Sequence, residues 1–408
     1  MLSFFQAFRK VYVGEQAMHS SKVYQQLSEH AGLHDHLSVL NACVAKVSAN
    51  LGAYARCEDV VESSLQLLSD LAAGYMSGKL LLRLEAIAYT LQNHTAEHFA
   101  FLREPSNARA RTAFYATLGR LLFMEDSATK FRAFMQPFDQ ICSQLLAAAA
   151  SPPGLRAPQM QTLLSGLFRD LRGIVSATAS RRTYSMLFDW IYPTHTPLLM
   201  AAMEACADVP EVAVPLLKLL GELVHNKTQR ITFDASSVNG ILLFRELSRL
   251  VVCHGARSLA APVHPSDPYA YKYKGIAAAH TALQRSLTGN YVNFGVFDLY
   301  RDGVLTESIE CALACSVSIP LPDLLAYRKV AKAYYSLLEA RGRTPPALGA
   351  WVARLDPVCG SSALPHLLQA ICHGHLKAVA VADSRTFAYV ASSLESGLKS
   401  LDVAISSQ

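Results

Sequence analysis

EDVVESSLQLLSDLAAGY, residues 58–75, sets the period that most of the chain keeps. Val60, Val61, Ser64, Leu65, Leu67, Leu68, Leu71, Ala72 and Tyr75 fall at i, i+1, i+4, i+5, i+7, i+8, i+11, i+12 and i+15. That spacing places them on one broad face of a helix, with Glu58, Asp59, Glu62 and Asp70 elsewhere on its surface. The same period predicts helices near 2–13, 18–30, 34–51, 79–92, 109–123, 128–149, 157–178, 182–205, 211–225, 239–254, 269–288, 304–318, 323–340, 347–355, 361–381 and 384–405. Strand signals reduce to Ile231-Thr232-Phe233 and the alternation of YAYKYK at 269–274, both too short for a sheet. The breaks are brief and rich in Pro, Gly and Ser, as in SPPGLRAP (151–158), AAPVHPSDP (260–268) and RTPPALGA (343–350).

One helical hairpin cannot bury its own apolar face, so hairpins of this kind stack. LQLLSDL (65–71) and LKLLGEL (217–223) share one pattern, a faint internal echo. The expected fold is therefore all-α: an α-solenoid (superhelix) of HEAT- or armadillo-like hairpins, about nine pairs at roughly 40–47 residues each. A single continuous array over 1–408 is expected. Hydrophobic residues make up 51% of the chain and charged residues 17%, which excludes a disordered or heavily charged coiled-coil chain. A net charge of +5 over 408 residues does not suggest a nucleic-acid binder. The nine cysteines are scattered without a disulfide framework and read as reduced core thiols of a cytosolic or nuclear protein. N-x-T triplets at Asn93 and Asn226 carry no weight without secretion. MLSFFQAFRKVYVGE reads as an amphipathic helix rather than a signal peptide, because Arg9 and Lys10 sit at its centre. No uncharged run reaches a membrane span, so a soluble protein is expected.

Catalytic signatures are missing: the sequence has no GxxxxGK[ST], GxSxG or HExxH. His30, His34, His36 and Asp35 in HAGLHDH have ligand chemistry, but a solvated turn with Asp35 capping the next helix explains them. Cys372, His373 and His375 lack an orienting third group. Cys311 and Cys315, at i and i+4, read as small core residues. YAYKYKG interleaves tyrosine with lysine, a base-stacking pattern, although tyrosines at helix entrances commonly pack. Arg169, Arg172, Arg181 and Arg182 form a basic patch that suits an acidic partner or a solvated helix end, and Phe188, Trp190 and Tyr192 read as inter-helix core. No catalytic, metal or cofactor residues are expected.

HNKTQRITFDASSVNGILLFRE, residues 225–246, departs from this monotony. It reads as an ordered loop between two helices, rich in turn formers, with the following helix ending at Gly255 as its C′ residue. Lys227, Arg230, Asp234, Asn239 and Arg245 are candidates for partner contact or for bracing adjacent repeats, with bracing favoured.

ELVHNKTQRITFDASSVNGILLFRE (222–246) resembles the matching stretch of the exportin-7 / Ran-binding protein 16 family, within the importin-β-like nuclear transport receptors. The resemblance is collinear through SKVYQQLSE (21–29), LQLLSDLAAGY (65–75), NHTAEHFAFL (93–102), TAFYATLGRLL (112–122), GLFRDLRGI (166–174), LFDWIYP (187–193), GNYVNFGVFDLY (289–300) and AYYSLLE (333–339), and fades after about residue 340. It implies a HEAT-repeat superhelix that carries protein cargo through nuclear pores under control of GTP-bound Ran, shuttling between nucleus and cytoplasm. Ran in its GTP form, cargo and nuclear pore proteins are the implied partners, with no direct nucleic acid, no membrane insertion and no cofactor. Family members are longer, so the chain is expected to be a section from the middle towards the C-terminus, without the principal Ran-binding arch. A cut solenoid would leave Leu2, Phe4, Phe5, Phe8 and Val11 as an open apolar edge. The competing expectations are a Ran-independent HEAT scaffold and, resting only on the His and Cys clusters, an enzyme.

Overall fold

A computed structural model describes residues 28–150, 153–234 and 236–342. Among them there is helix and no strand, and no helix is long and apolar enough to cross a membrane. The apolar edge at residues 2–13, the CHGH cluster and the three helices expected beyond residue 343 lie outside the described residues. The chain divides into two compact units, one of residues 1–145 and 166–190, the other of residues 146–165 and 191–408.

In the first unit, α1 (His36–Ala53) and α2 (Glu58–Leu71) form a hairpin joined by a short turn. Asp35 begins α1 with a capping box: its carboxylate accepts the Ser38 N–H at 2.7 Å. Glu58 and Asp59 place negative charge at the N-terminal end of the α2 dipole. Val61, Ser64, Leu65, Leu67, Leu68 and Leu71 of α2 are buried, as the opening pattern predicts. Tyr75 is not part of that face. The helix stops at Leu71, Gly74 is extended, and Tyr75, 62% exposed, starts the short α3 (Tyr75–Leu81), with α4 (Glu85–Gln92) after it.

Four longer helices complete this part of the chain: α5 (Ala108–Met124), α6 (Ala128–Ala149), α7 (Pro158–Ala177) and α8 (Arg181–Ile191). Like helices stack in parallel. Asn107 Nδ2 donates to the Ala55 carbonyl at 2.7 Å and Arg120 Nη1 to that of Ser69 at 3.2 Å, which runs α5 alongside α2. Thr112 Oγ1 donates to the Arg169 carbonyl at 3.1 Å, and Arg111 binds Asp170 through two nitrogens, which runs α7 alongside α5. Arg182 pairs with Asp126 at 3.1 Å and Trp190 Nε1 donates to Asp139 at 2.8 Å, which sets α8 along α6. Glycine makes the α5–α7 seam possible. A Cβ at Gly173 would lie 2.6 Å from the Thr112 oxygen and 2.9 Å from the Ala116 nitrogen.

The second unit contains α9 (Thr196–Cys206), α10 (Pro210–Leu223), α11 (Asn239–Ala260), α12 (Lys274–Leu287), α13 (Gly295–Leu299), α14 (Val304–Val317), α15 (Leu321–Ala326) and α16 (Arg328–Gly342). Two rows run through it, α9 against α11 against α14, and α10 against α12 against α16. This two-layer stacking of like on like is the HEAT-like arrangement expected of a solenoid. The ties between successive like helices span 51 to 67 residues, longer than the expected 40–47, because short helices and loops lie between the pairs.

Several helix limits differ from the sequence reading, each for a local reason. The helix expected at 182–205 is two, interrupted at Pro193, whose ring cannot continue the hydrogen-bond ladder. The one expected at 323–340 breaks at Tyr327, which is extended. Gly255 is not a C′ residue. It lies inside α11, where a Cβ would meet Cys311 Sγ at 2.2 Å, so it is the point of closest approach to α14. Cys311 and Cys315 accordingly pack in the core seam, donating to the carbonyls of Val252 and Gly255 at 3.8 and 3.6 Å.

Buried histidines mark both units. His94 stacks on Phe134 with ring centres 4.0 Å apart and donates from Nε2 to the Phe134 carbonyl at 2.9 Å. His280 donates from Nε2 to the Ala312 carbonyl at 2.8 Å. Burial pushes His94, His254 and His280 down from the ordinary 6.5 to about 4. Their folded state favours neutral imidazole, so the unfolded chain binds more protons between those values. Stability from these three groups is complete above pH 6.5 and is lost as pH falls towards about 4. Thermal melts across pH 7.5 to 4 should show a falling Tm, and His280→Gln should flatten part of that slope. Replacing Gly173 by Ala should cost about 1–3 kcal/mol, because backbone rather than a flexible side chain must move. A melt with and without that substitution measures it.

Candidate functional site

The loop after α10 is built around a buried arginine. The chain leaves α10 through Val224, and Thr228 and Gln229 take left-handed backbone conformations with φ of 53° and 54°. Such conformations are costly for a β-branched residue and persist where surroundings impose them. Here they turn Arg230 inward, leaving it 1% exposed. Its Nε donates to the His225 carbonyl at 3.1 Å and its Nη2 to the Glu222 carbonyl at 2.6 Å. Those oxygens belong to the C-terminal end of α10, where partial negative charge collects and intrahelical donors run out.

Glu222 gathers the charge. Lys227 Nζ lies 3.0 Å from Oε1, Arg230 Nη2 3.5 Å from the same oxygen, and Arg285 Nη1 of α12 3.4 Å from Oε2. Burial alone would raise this carboxyl, but Lys227, Arg230 and Arg285 together hold it below its ordinary value. Arg285 also donates to the Gly221 carbonyl at 2.7 Å. Asn226 accepts the Ile231 N–H at 2.8 Å and donates to the Gly289 carbonyl at 2.6 Å. Tyr291 donates to the Val224 carbonyl at 3.2 Å, and the Phe233 ring meets its edge at 6.4 Å. A Cβ at Gly240 would sit 2.3 Å from the Tyr291 carbonyl oxygen, so the start of α11 fits only with glycine there.

The five residues singled out from sequence thus divide. Lys227 and Arg230 converge on Glu222. Arg245 lies one helix along and donates to Asp302 at 3.1 Å, while the other Asp302 oxygen accepts the Val304 N–H at 3.1 Å at the start of α14. Asn239 opens α11, its N–H donating to Ser237 Oγ at 3.2 Å. Asp234 is exposed, and its carbonyl accepts the Ser237 N–H at 2.8 Å. Glu222, Arg285, Tyr291 and Asp302 were not singled out. Only Asn226 stood out in the sequence, as part of an N-x-T triplet, and its side chain serves the backbone on both sides.

The other clusters also resolve into structure. YAYKYK is a π-helical turn at Tyr269–Tyr273 leading into α12, within the helix expected at 269–288. Lys272 is buried and donates to the Ala261 carbonyl at 3.0 Å, Tyr273 donates to Asp323 at 2.7 Å, and Tyr269 stacks on Tyr327. Asp35 is occupied by its cap and His34 by Ser28. Among the described residues no three metal-ligating groups come together.

This arrangement has no chemistry of bond making; it joins the ends of α10 and α12. Removing Arg230 would leave Glu222 half-buried with fewer cations and two carbonyls without their donor. Arg230→Glu should therefore destabilise the protein by about 3 kcal/mol or more, read from a thermal melt. A charge reversal that leaves the melt unchanged while removing partner binding would assign Arg230 to a partner instead.

Comparison with known proteins adds relatives to this geometry. Residues 1–110 match the family model described as "Exportin-7-like, TPR domain". The chain is 38% identical to Exportin-7-B of Xenopus laevis over 99% of its own length and 35% of that protein's. It is 38% identical to Ran-binding protein 17 of Mus musculus over 100% of its length and 35% of the relative's, and 33% identical to Exportin-7 of Dictyostelium discoideum over 99% and 37%. The chain thus spans about a third of the length of the curated relatives it matches. Over nearly all of its own length, this chain is related to the exportin-7 and Ran-binding protein 16/17 family.

Proposed function

We propose that this chain is part of a nuclear transport receptor of the exportin-7 kind. On this reading its stacked hairpins present surfaces to protein cargo, binding depends on Ran in its GTP form, and the protein shuttles between nucleus and cytoplasm through contacts with nuclear pore proteins. The observation that carries the reading is the 38% identity to an exportin-7 along 99% of the chain. Parallel stacking of like helices supports it, because such arrays expose long continuous surfaces suited to proteins. The 225–246 loop serves this function as a brace, since its cations are turned onto carbonyls and a carboxylate of the chain itself. Transport of this kind asks for no catalytic group in the chain, and any nucleotide belongs to the small GTPase.

Pull-down of this chain, and of a full-length relative, with Ran locked in its GTP or GDP form tests the reading. Stronger capture by the GTP form is expected. If neither protein responds to nucleotide state, the receptor reading fails and a Ran-independent scaffold stands in its place.

A further inference from the structure

Two thiols meet at one point of the α11–α14 seam. Cys311 and Cys315 stand at i and i+4 on α14, so they share one face of that helix. Their sulfurs gather around the same glycine: a Cβ at Gly255 would meet Cys311 Sγ first and Cys315 Sγ at 3.3 Å. Cys311 donates to the Val252 carbonyl at 3.8 Å and Cys315 to that of Gly255 at 3.6 Å. These are weak ties, because a thiol is a poor donor and both carbonyls lie inside α11, where the helix supplies its own donors. The two thiols differ in access. Cys315 is 4% exposed, whereas Cys311 is half-buried. They also differ from the other cysteines of the fold. Burial pushes Cys43 up to about 11 and Cys142 to about 12, and it raises Cys253 as well. Cys311 goes the other way, because a hydrogen bond from Cys315 outweighs its burial. Cys315 has one hydrogen to give, and turning it from the Gly255 carbonyl onto the Cys311 sulfur answers the charge of a thiolate there.

We propose that Cys311 and Cys315 form an oxidation-sensitive dithiol, with Cys311 the nucleophile, Cys315 the resolving thiol and hydrogen peroxide the oxidant. The Cys311 thiolate attacks one peroxide oxygen, the O–O bond breaks, and the departing hydroxide takes a proton to become water. Cys311 is left as a sulfenic acid. The Cys315 sulfur then attacks the Cys311 sulfur, the S–O bond breaks, and the second hydroxide leaves with the Cys315 proton as water. Two thiols have lost two electrons and two protons, and peroxide has become two waters. The product changes the seam. Cβ atoms at i and i+4 of a helix stand about 5–6 Å apart, and a disulfide needs them about 4 Å apart. That turn of α14 must therefore tighten, drawing both sulfurs away from the α11 carbonyls at the Gly255 crossing. A disulfide made against the helix geometry is readily returned to thiols by a small reductant. The inference goes beyond the transport reading and holds whether or not cargo binding responds to Ran.

Peptide mapping of the reduced full chain tests it. The folded chain is exposed to hydrogen peroxide, remaining thiols are capped with iodoacetamide, and tryptic peptides are weighed. Cleavage after Arg301 and Arg328 leaves both cysteines in one peptide. That peptide should return uncapped and lighter by two hydrogens, at a rate about tenfold or more above the oxidation of Cys57 or Cys253. Dithiothreitol should restore both caps, and the oxidised chain should melt earlier than the reduced one. In Cys315→Ala, Cys311 should react more slowly and stop at the sulfenic acid, which dimedone traps. Cys311→Ser should leave Cys315 a free thiol. The mapping of the parent chain decides the matter even where a variant does not fold. The proposal is overturned by a doubly capped peptide once Cys57 or Cys253 is already oxidised, or by a disulfide from Cys311 or Cys315 to a different cysteine. Reaction of Cys315→Ala at the parental rate, or an oxidised chain that melts no earlier, also overturns it.

Discussion

Both units depend on parallel helices packed so closely that only glycine fits at the crossing. At Gly173 against Thr112 and Ala116, and at Gly255 against Cys311, there is no room for even a methyl group. Close approach of this kind brings helix ends near enough for side chains on one helix to bond the carbonyls of the next. The cross-ties of Asn107, Arg120, Asn226, Arg285 and Tyr291 all use it. Each joins residues 51 to 67 positions apart, so one geometric rule recurs from hairpin to hairpin.

Arginine makes several such ties between helices, Arg120 and Arg285 among them. A planar guanidinium can serve a carboxylate and a carbonyl at once, as Arg111 does with Asp170 and Leu102, and as Arg285 does with Glu222 and Gly221. Each such residue trades solvation for several charge-assisted bonds, which only a satisfied set can offset.

How much of this was legible depended on the range of the interaction. The period of residues 58–75 announces a helix, and the Asp35 cap follows from residue type and position, because both are local. The α6 limits, 128–149, coincide with the expected ones for the same reason. Gly255 was misread because a glycine near a helix end and a glycine at a helix crossing look alike until the partner, Cys311, is known. The helix expected at 269–288 begins at Tyr269 as foreseen, but the partners of Tyr269, Lys272 and Tyr273 in α15, its flanks and the preceding loop could not be read from the pattern. At the candidate loop, Lys227 and Arg230 stood out as charges, but Arg285 and Tyr291, more than fifty residues on, could not be tied to them by pattern.

The arginine clamp on the end of α10 also bears on the order of assembly. Arg230 reaches carbonyls only 5 and 8 residues behind it, whereas Asn226 reaches Gly289 across 63. Closing the short ring costs less chain entropy than closing the long one, by about 0.6 kcal/mol for each doubling of length. The connector can therefore take its shape on α10 alone, before α12 arrives. It then offers Asn226, Glu222 and the Val224 carbonyl as a ready edge for the incoming helix. This one connector thus prepares the surface on which α12 is laid, a local structure made in advance of the long-range contacts that use it.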